Sequence, residues 1–154
     1  MESTTDRVAV TRELVIDASP ETVWGFLTDP EKIKRWKGVL VSFDATPGAA
    51  YRIEVIPTHI ASGEVVELDP PRRLVYTWGW DAGPVPPGST TVVYELVPEG
   101  TGTRLLFTHR DLPNQEAADS HAHGWDHYLE RLVVAAGGGD AGPDPWAEEG
   151  AERG

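Results

Sequence analysis

Gln115–Ala136 reads QEAADSHAHGWDHYLERLVVAA, and its periodicity decides how the rest of the chain must be arranged. At about 100° per residue, Ala118, His121, Ala122, Tyr128, Leu129, Leu132 and Ala136 fall on the side of Trp125. Asp119, His123, His127 and Glu130 fall on the other side. This is the pattern of one long amphipathic helix, introduced by Asn114 or Asp111. The glycines at 137–139 read as its stop and a hinge. A helix with one apolar face needs a surface to cover.

The preceding sequence supplies that surface. Val39, Val41 and Phe43 alternate, and Tyr51, Ile53 and Val55 alternate against Arg52 and Glu54. GEVVELD (63–69), RRLVYTWGW (72–80), TTVVYELV (90–97) and TRLLFTH (103–109) follow. The separators PP, DAGPVPPGS and PEGTG are turn chemistry, in which proline presets φ and glycine takes positive-φ positions. Consecutive strands with short connections imply an antiparallel meander. Asp81–Ser89, the longest interruption, is expected to form a pocket rim.

Before the meander, VAVTRELVI (8–16) reads as a strand with Val8, Val10, Arg12, Leu14 and Ile16 on one face. DASPETVWGFLTD then opens a helix: Ser19 caps it, Pro20 suits its first position, and Glu21 complements its dipole. Asp29-Pro30 ends that helix, and PEKIKRW starts a second short one with Ile33 and Trp36 on one side. The fold class is therefore α+β. A curved antiparallel sheet of about six to seven strands wraps a long C-terminal helix, with two short helices after the first strand. The expected division is a flexible N-terminus (1–7), one domain (8–136) and a Gly/Pro-rich acidic tail (137–154).

The totals narrow the function. A chain of 154 residues with 40% hydrophobic and 25% charged content suits one globular domain. A net charge of −12 argues against nucleic acid and against anionic membrane surfaces. The absence of cysteine removes disulfides, thiolate nucleophiles and Cys-based zinc sites. The N-terminus has neither the basic nor the apolar region of a signal peptide, so a cytoplasmic location is the expectation.

Four segments, in this order, carry a resemblance: ASPETVWGFLTDPEKIKRW (18–36), GEVVELDPPRRLVYTW (63–78), GTGTRLLFTH (100–109) and HAHGWDHYLERL (121–132). The chain resembles the family related to the activator of heat-shock protein 90 ATPase. That family lies within the helix-grip, START-like, Bet v-type (SRPBCC) superfamily of polyketide cyclases and lipid-binding proteins. The likeness spans about residues 8–136, and the GPDPW ending (142–146) is also similar. It implies a helix-grip fold, a cavity beneath the long helix and a link to stress response. It does not imply one function, because the superfamily hosts binders, cyclases and chaperone cofactors on one scaffold.

Candidate ligand-binding residues follow from the apolar faces and from the resemblance. Trp36, Tyr76, Trp78, Trp80, Trp125 and Tyr128 are bulky and polar-tipped, which suits a concave, partly wet pocket as well as a core. Tyr51, Phe107 and Leu129 share those faces. In TRLLFTH, alternation puts Leu105, Phe107 and His109 together, so His109 can approach His121 across a cavity. Each histidine can equally be satisfied by structural hydrogen bonds. His123 and His127 have the i, i+4 spacing of a zinc pair, but HExxH is lacking and both are expected to face water, so no metal is assigned.

The leading expectation is a binder of a small hydrophobic or aromatic molecule, without a cofactor. One alternative is a cyclase- or hydrolase-type enzyme using a pocket histidine, although no nucleophile or paired carboxylates support it and no catalytic residue is assigned. Another is a chaperone ATPase-activating cofactor. Only the C-terminal-type domain of the eukaryotic activator is represented, which makes a chaperone partner doubtful. An exposed edge strand could support a homodimer, but no residue marks it.

Overall fold

The computed structural model describes residues 8–83, 85–142 and 144–146. The expected flexible N-terminus (1–7) and the end of the tail (147–154) lie outside the described residues. In chain order the elements are β1 (Val8–Ile16), α1 (Pro20–Thr28), α2 (Pro30–Ile33), β2 (Leu40–Phe43), β3 (Ala50–Ile56), β4 (His59–Asp69), β5 (Arg73–Trp80), β6 (Thr90–Glu99), β7 (Gly102–Leu112) and α3 (Gln115–Ala136). The seven strands form one antiparallel sheet in the order β1-β7-β6-β5-β4-β3-β2. The meander is therefore continuous from β2 to β7, and β1 returns beside β7. Among the described residues, no helix is long and apolar enough to cross a membrane.

Local chemistry sets the helix boundaries. The Ser19 hydroxyl accepts from the Thr22 N–H at 3.2 Å, and the Asn114 side chain accepts from the Ala117 N–H at 2.8 Å. Of the two candidate caps for α3, Asn114 is the one used. Asp29 closes α1 through its backbone and caps α2 through its side chain. Register shifts at Val8/Val10, Glu54/Ile56 and Val65/Glu67 bend the strands. Such bulges increase local twist, which lets a sheet curve around a helix.

The main core lies between the sheet and α3. Ile16, Leu74, Val92, Leu105 and Leu132 are wholly buried in it. Burial along β3 alternates as the period-two reading requires, with Tyr51, Ile53 and Val55 inward. α3 packs mainly on β1, where Arg12 pairs with Asp126 at 2.6 Å, and also touches α1 and β7. Towards β3–β5 the two layers separate.

The described residues of the expected rim, 81–83 and 85–89, do not line the cavity described below. They fold back over the sheet rather than forming a rim: the Trp80 N–H donates to Val85 O at 2.7 Å, and Val85 is buried. Gly79 permits this approach, because a Cβ there would sit 1.9 Å from Pro86 O.

Candidate functional site

A cavity of about 250 Å³ occupies the gap between α3 and β3–β5. Val55, Ile56 and His59 form one side, Trp78 and Trp80 another, and Ser120, His121, Gly124, Trp125 and Tyr128 the helical side. Lys37 and Trp146 complete the lining. Five of the expected residues therefore meet at one cavity: Trp78, Trp80, His121, Trp125 and Tyr128.

The other six sit elsewhere. Trp36 is buried in the core with its N–H donated to Phe26 O at 2.8 Å. Tyr51, Tyr76, Phe107 and Leu129 are buried core residues, and Tyr76 and Tyr94 share a hydrogen bond of 2.8 Å between hydroxyls. His109 is fully buried behind the tryptophans rather than on the cavity wall. Sequence alternation assigns a face of the sheet, but only the position along the helix distinguishes cavity from packed core.

His109 and His121 do approach each other, with ring centroids 5.0 Å apart. Their hydrogen bonds fix the protons. An indole N–H can only donate. Trp125 Nε1 lies 2.9 Å from His109 Nδ1, so that nitrogen accepts and the proton resides on Nε2. His109 Nε2 then donates to Thr90 Oγ1 at 2.7 Å, and the Thr90 hydroxyl donates to Trp78 O at 2.7 Å. In the same way Trp80 Nε1 donates to His121 Nε2 at 3.0 Å, leaving Nδ1–H to donate to Ala117 O at 2.8 Å. Both rings are neutral, and both nitrogens of each are engaged. Burial, reinforced by neighbouring His121 and Lys37, lowers the His109 pKa to about 3. Burial also lowers that of His121.

The residue that sequence reading missed is Lys37. It is 3% exposed, and its Nζ lies 4.7 Å from the ring centres of both Trp36 and Trp125 and 5.1 Å from that of Trp78. Its hydrogen-bonding neighbour is the Tyr76 hydroxyl, at 3.4 Å. Burial lowers its pKa to about 7. A signal was present: Ile33, Trp36 and Lys37 stand at i, i+3 and i+4, which share one face of a helical turn. The Lys37 N–H donates to Ile33 O at 2.8 Å, and Gly38 then takes a φ of +95° to turn the chain into β2. In this position the lysine is held inward.

Of the two histidines expected to face solvent, His127 needs correction. His127 is half-buried: Trp146 stacks on it with centroids 3.8 Å apart and planes 12° apart. Asp144 bonds both His127 Nε2 at 2.9 Å and the Tyr128 hydroxyl at 2.7 Å. His123 is exposed but also stacks against Trp146. The reason is the tail. Arg131 donates to Ala141 O at 3.1 Å and to Gly142 O at 2.8 Å, holding the segment after the glycine hinge along α3. Among the described residues, no group of three metal-ligating side chains is placed to hold an ion.

Comparison with known proteins gives this architecture a family. Residues 17–137 match the family described as Activator of Hsp90 ATPase homolog 1-like protein. The solution structure of an AHSA1-like protein from Rhizobium etli is similar at 41% identity, covering 95% of this chain and 92% of that one, with a TM-score of 0.76. The solution structure of CalU16 from Micromonospora echinospora is similar at 27% identity, over 92% and 71% of the two chains, with a TM-score of 0.74. A Chromobacterium violaceum protein at 24% identity, over 88% and 98%, has a TM-score of 0.75 and shares the fold. No functionally curated protein matches. The family match covers most of the chain and coincides with the helix-on-sheet domain, so the chain belongs to the Activator of Hsp90 ATPase homolog 1-like family.

Proposed function

We propose that this protein binds a small hydrophobic or aromatic molecule in the cavity between α3 and β3–β5. The observation that carries this reading is the cavity itself, about 250 Å³ between α3 and β3–β5 and partly open to solvent. That volume is just below the roughly 300–1,000 Å³ usual for ligand sites, so a compact ligand of one or two rings suits it better than a sterol or a phospholipid. Gly124 supports the reading. It stands in the interior of α3, where glycine weakens a helix, and a Cβ there would meet nothing within 4 Å. Glycine at this point keeps the helical wall of the cavity open.

Acid–base catalysis by His109 or His121 is less well supported. Each ring accepts from a tryptophan N–H through one nitrogen and donates through the other, His109 to Thr90 Oγ1 and His121 to Ala117 O, so neither has a free nitrogen for a substrate.

The test is titration with a neutral, polarity-sensitive dye such as Nile red, followed by its emission and by quenching of the cavity tryptophans. Saturable binding is expected, and it should be lost in Gly124→Leu, whose side chain would fill the cavity. Binding unaffected by that substitution, in a variant that folds normally, would refute the site.

A further inference from the structure

The cavity is apolar over most of its wall, yet two of its lining residues, Lys37 and Trp78, carry buried hydrogen-bond donors that lack a full complement of acceptors. Lys37 carries three N–H donors when charged. Its single hydrogen-bond neighbour among the described residues is the Tyr76 hydroxyl at the long distance of 3.4 Å, and none of the described carboxylates pairs with it. The aromatic rings around Nζ stabilise a cation through their faces but offer no lone pairs. Trp78 supplies the second donor. Its indole N–H is buried and has no hydrogen-bond partner among the described residues.

The two groups are neighbours, since Nζ lies 5.1 Å from the Trp78 ring centre, and both residues line the cavity. The other tryptophan N–H groups nearby are all used: Trp36 by Phe26 O, Trp80 by His121, Trp125 by His109. A buried ammonium with one long hydrogen bond and a buried N–H with none are each costly, and buried polar groups are normally satisfied. Their coincidence on one apolar cavity points to a ligand atom that completes them. A neutral apolar molecule would leave both unsatisfied, and a cation would be repelled.

We propose that the ligand is a hydrophobic carboxylic acid, bound with its ring or chain among Trp78, Trp80, Trp125 and Tyr128 and its carboxylate accepting from Lys37 Nζ and Trp78 Nε1. This rests on the cavity being a binding site and adds the chemical class of what binds. The carboxylate supplies the counter-charge that the wall lacks. The interaction is non-covalent and is strengthened by the burial of the Lys37 ammonium among apolar rings.

Charge accounting gives the pH dependence. The titratable groups around Lys37 and the cavity are Tyr76 on β5, His109 on β7, His59 at the start of β4, and His121 and Tyr128 on α3. Tyr76 and Tyr128 are shifted upward and stay neutral, while His109 and His121 are shifted downward and stay neutral. The carboxylate binds the charged lysine, so affinity is greatest on the acid side of the free-protein pKa, about 7, and falls as pH rises through it. The profile is repeated in His59→Asn to separate that residue's contribution.

The experiment compares 2-naphthoate, 2-naphthalenemethanol and 2-naphthylmethylamine by calorimetry and tryptophan quenching at about pH 6 and about pH 9. At the lower pH the acid should bind about ten- to a hundredfold tighter than the alcohol, the range for a charged hydrogen bond, and the amine should not bind. In Lys37→Met the alcohol should still bind and the preference for the acid should vanish. In Trp78→Phe the preference should shrink. Equal affinity for acid and alcohol, or a preference that survives Lys37→Met, overturns the carboxylate proposal while leaving the cavity as a binding site. Failure of all three probes, with Nile red also failing, overturns both.

Discussion

Trp125 Nε1 donates to His109 Nδ1 across 2.9 Å of buried space, joining α3 to β7 and fixing which nitrogen of the imidazole keeps its proton. The chain continues through Thr90 to the backbone of Trp78, so one cavity wall is tied to another through a single ring. The His121–Trp80 bond does the same from the other end of the helical wall.

This arrangement predicts opposite tautomers. Long-range ¹⁵N correlation spectra near neutral pH should show His109 with its proton on Nε2 and His121 with its proton on Nδ1. The reverse assignment for either ring would contradict the hydrogen-bond network.

The same histidines should make the protein acid-sensitive. Both have folded-state pKa values below the unfolded value of about 6.5. Below that value the unfolded chain binds protons that the folded one does not, so the histidines' contribution to stability is full above pH ~6.5 and falls as pH drops towards the folded values. Urea unfolding across that interval should show this, and His109→Phe should flatten the slope. That variant also leaves the Trp125 N–H unpaired, at a cost of about 1–3 kcal/mol.

Lys37 should have the opposite sign from a useful surface lysine. Its folded pKa of about 7 lies below the usual 10.5, so wild-type stability rises as pH increases from about 7 to about 10.5. Lys37→Met removes a buried charge and should raise the unfolding temperature, with the largest gain on the acid side and little near pH ~10. A destabilised Lys37→Met at about pH 6 would show that the ammonium is better satisfied than its contacts indicate.

Gly124→Ala should stabilise the apo protein by about 0.5–1 kcal/mol, the ordinary helix-interior difference, since the added methyl meets no atom. Thermal unfolding measures the gain. Ligand affinity should fall at the same time, because the methyl enters the cavity.

Trp146→Ala should release the tail without unfolding the domain. Hydrogen exchange should rise for residues 140–146, global stability should change little, and ligand dissociation should quicken, because Trp146 is part of the lining. Exchange unchanged in that segment would show that the Arg131 bonds alone hold it.

Much of this was legible in the sequence. The period of 3.6 over Gln115–Ala136 and the alternation at Tyr51–Val55 and Leu105–His109 are local properties, and burial follows them closely. The Ser19 and Asn114 caps are equally local. Even the approach of His109 to His121 followed from the two periods together. Lys37 was harder, because a lysine beside a buried tryptophan usually sends its charge to solvent. Here the Gly38 turn and the surrounding rings keep it inside. The fate of His127 was also concealed, since a helical wheel treats as water whatever face the sheet does not cover, and the returning tail covered it.

By itself the sequence determined the elements, their order and the faces they bury, because backbone periodicity and turn chemistry act over a few residues. The tertiary structure alone decided which buried aromatics pack solidly and which enclose space. That depends on how far α3 separates from β3–β5, a distance no local pattern encodes. The same separation places Lys37 and Trp78, whose indole N–H is buried without a partner among the described residues, in the lining of one apolar cavity.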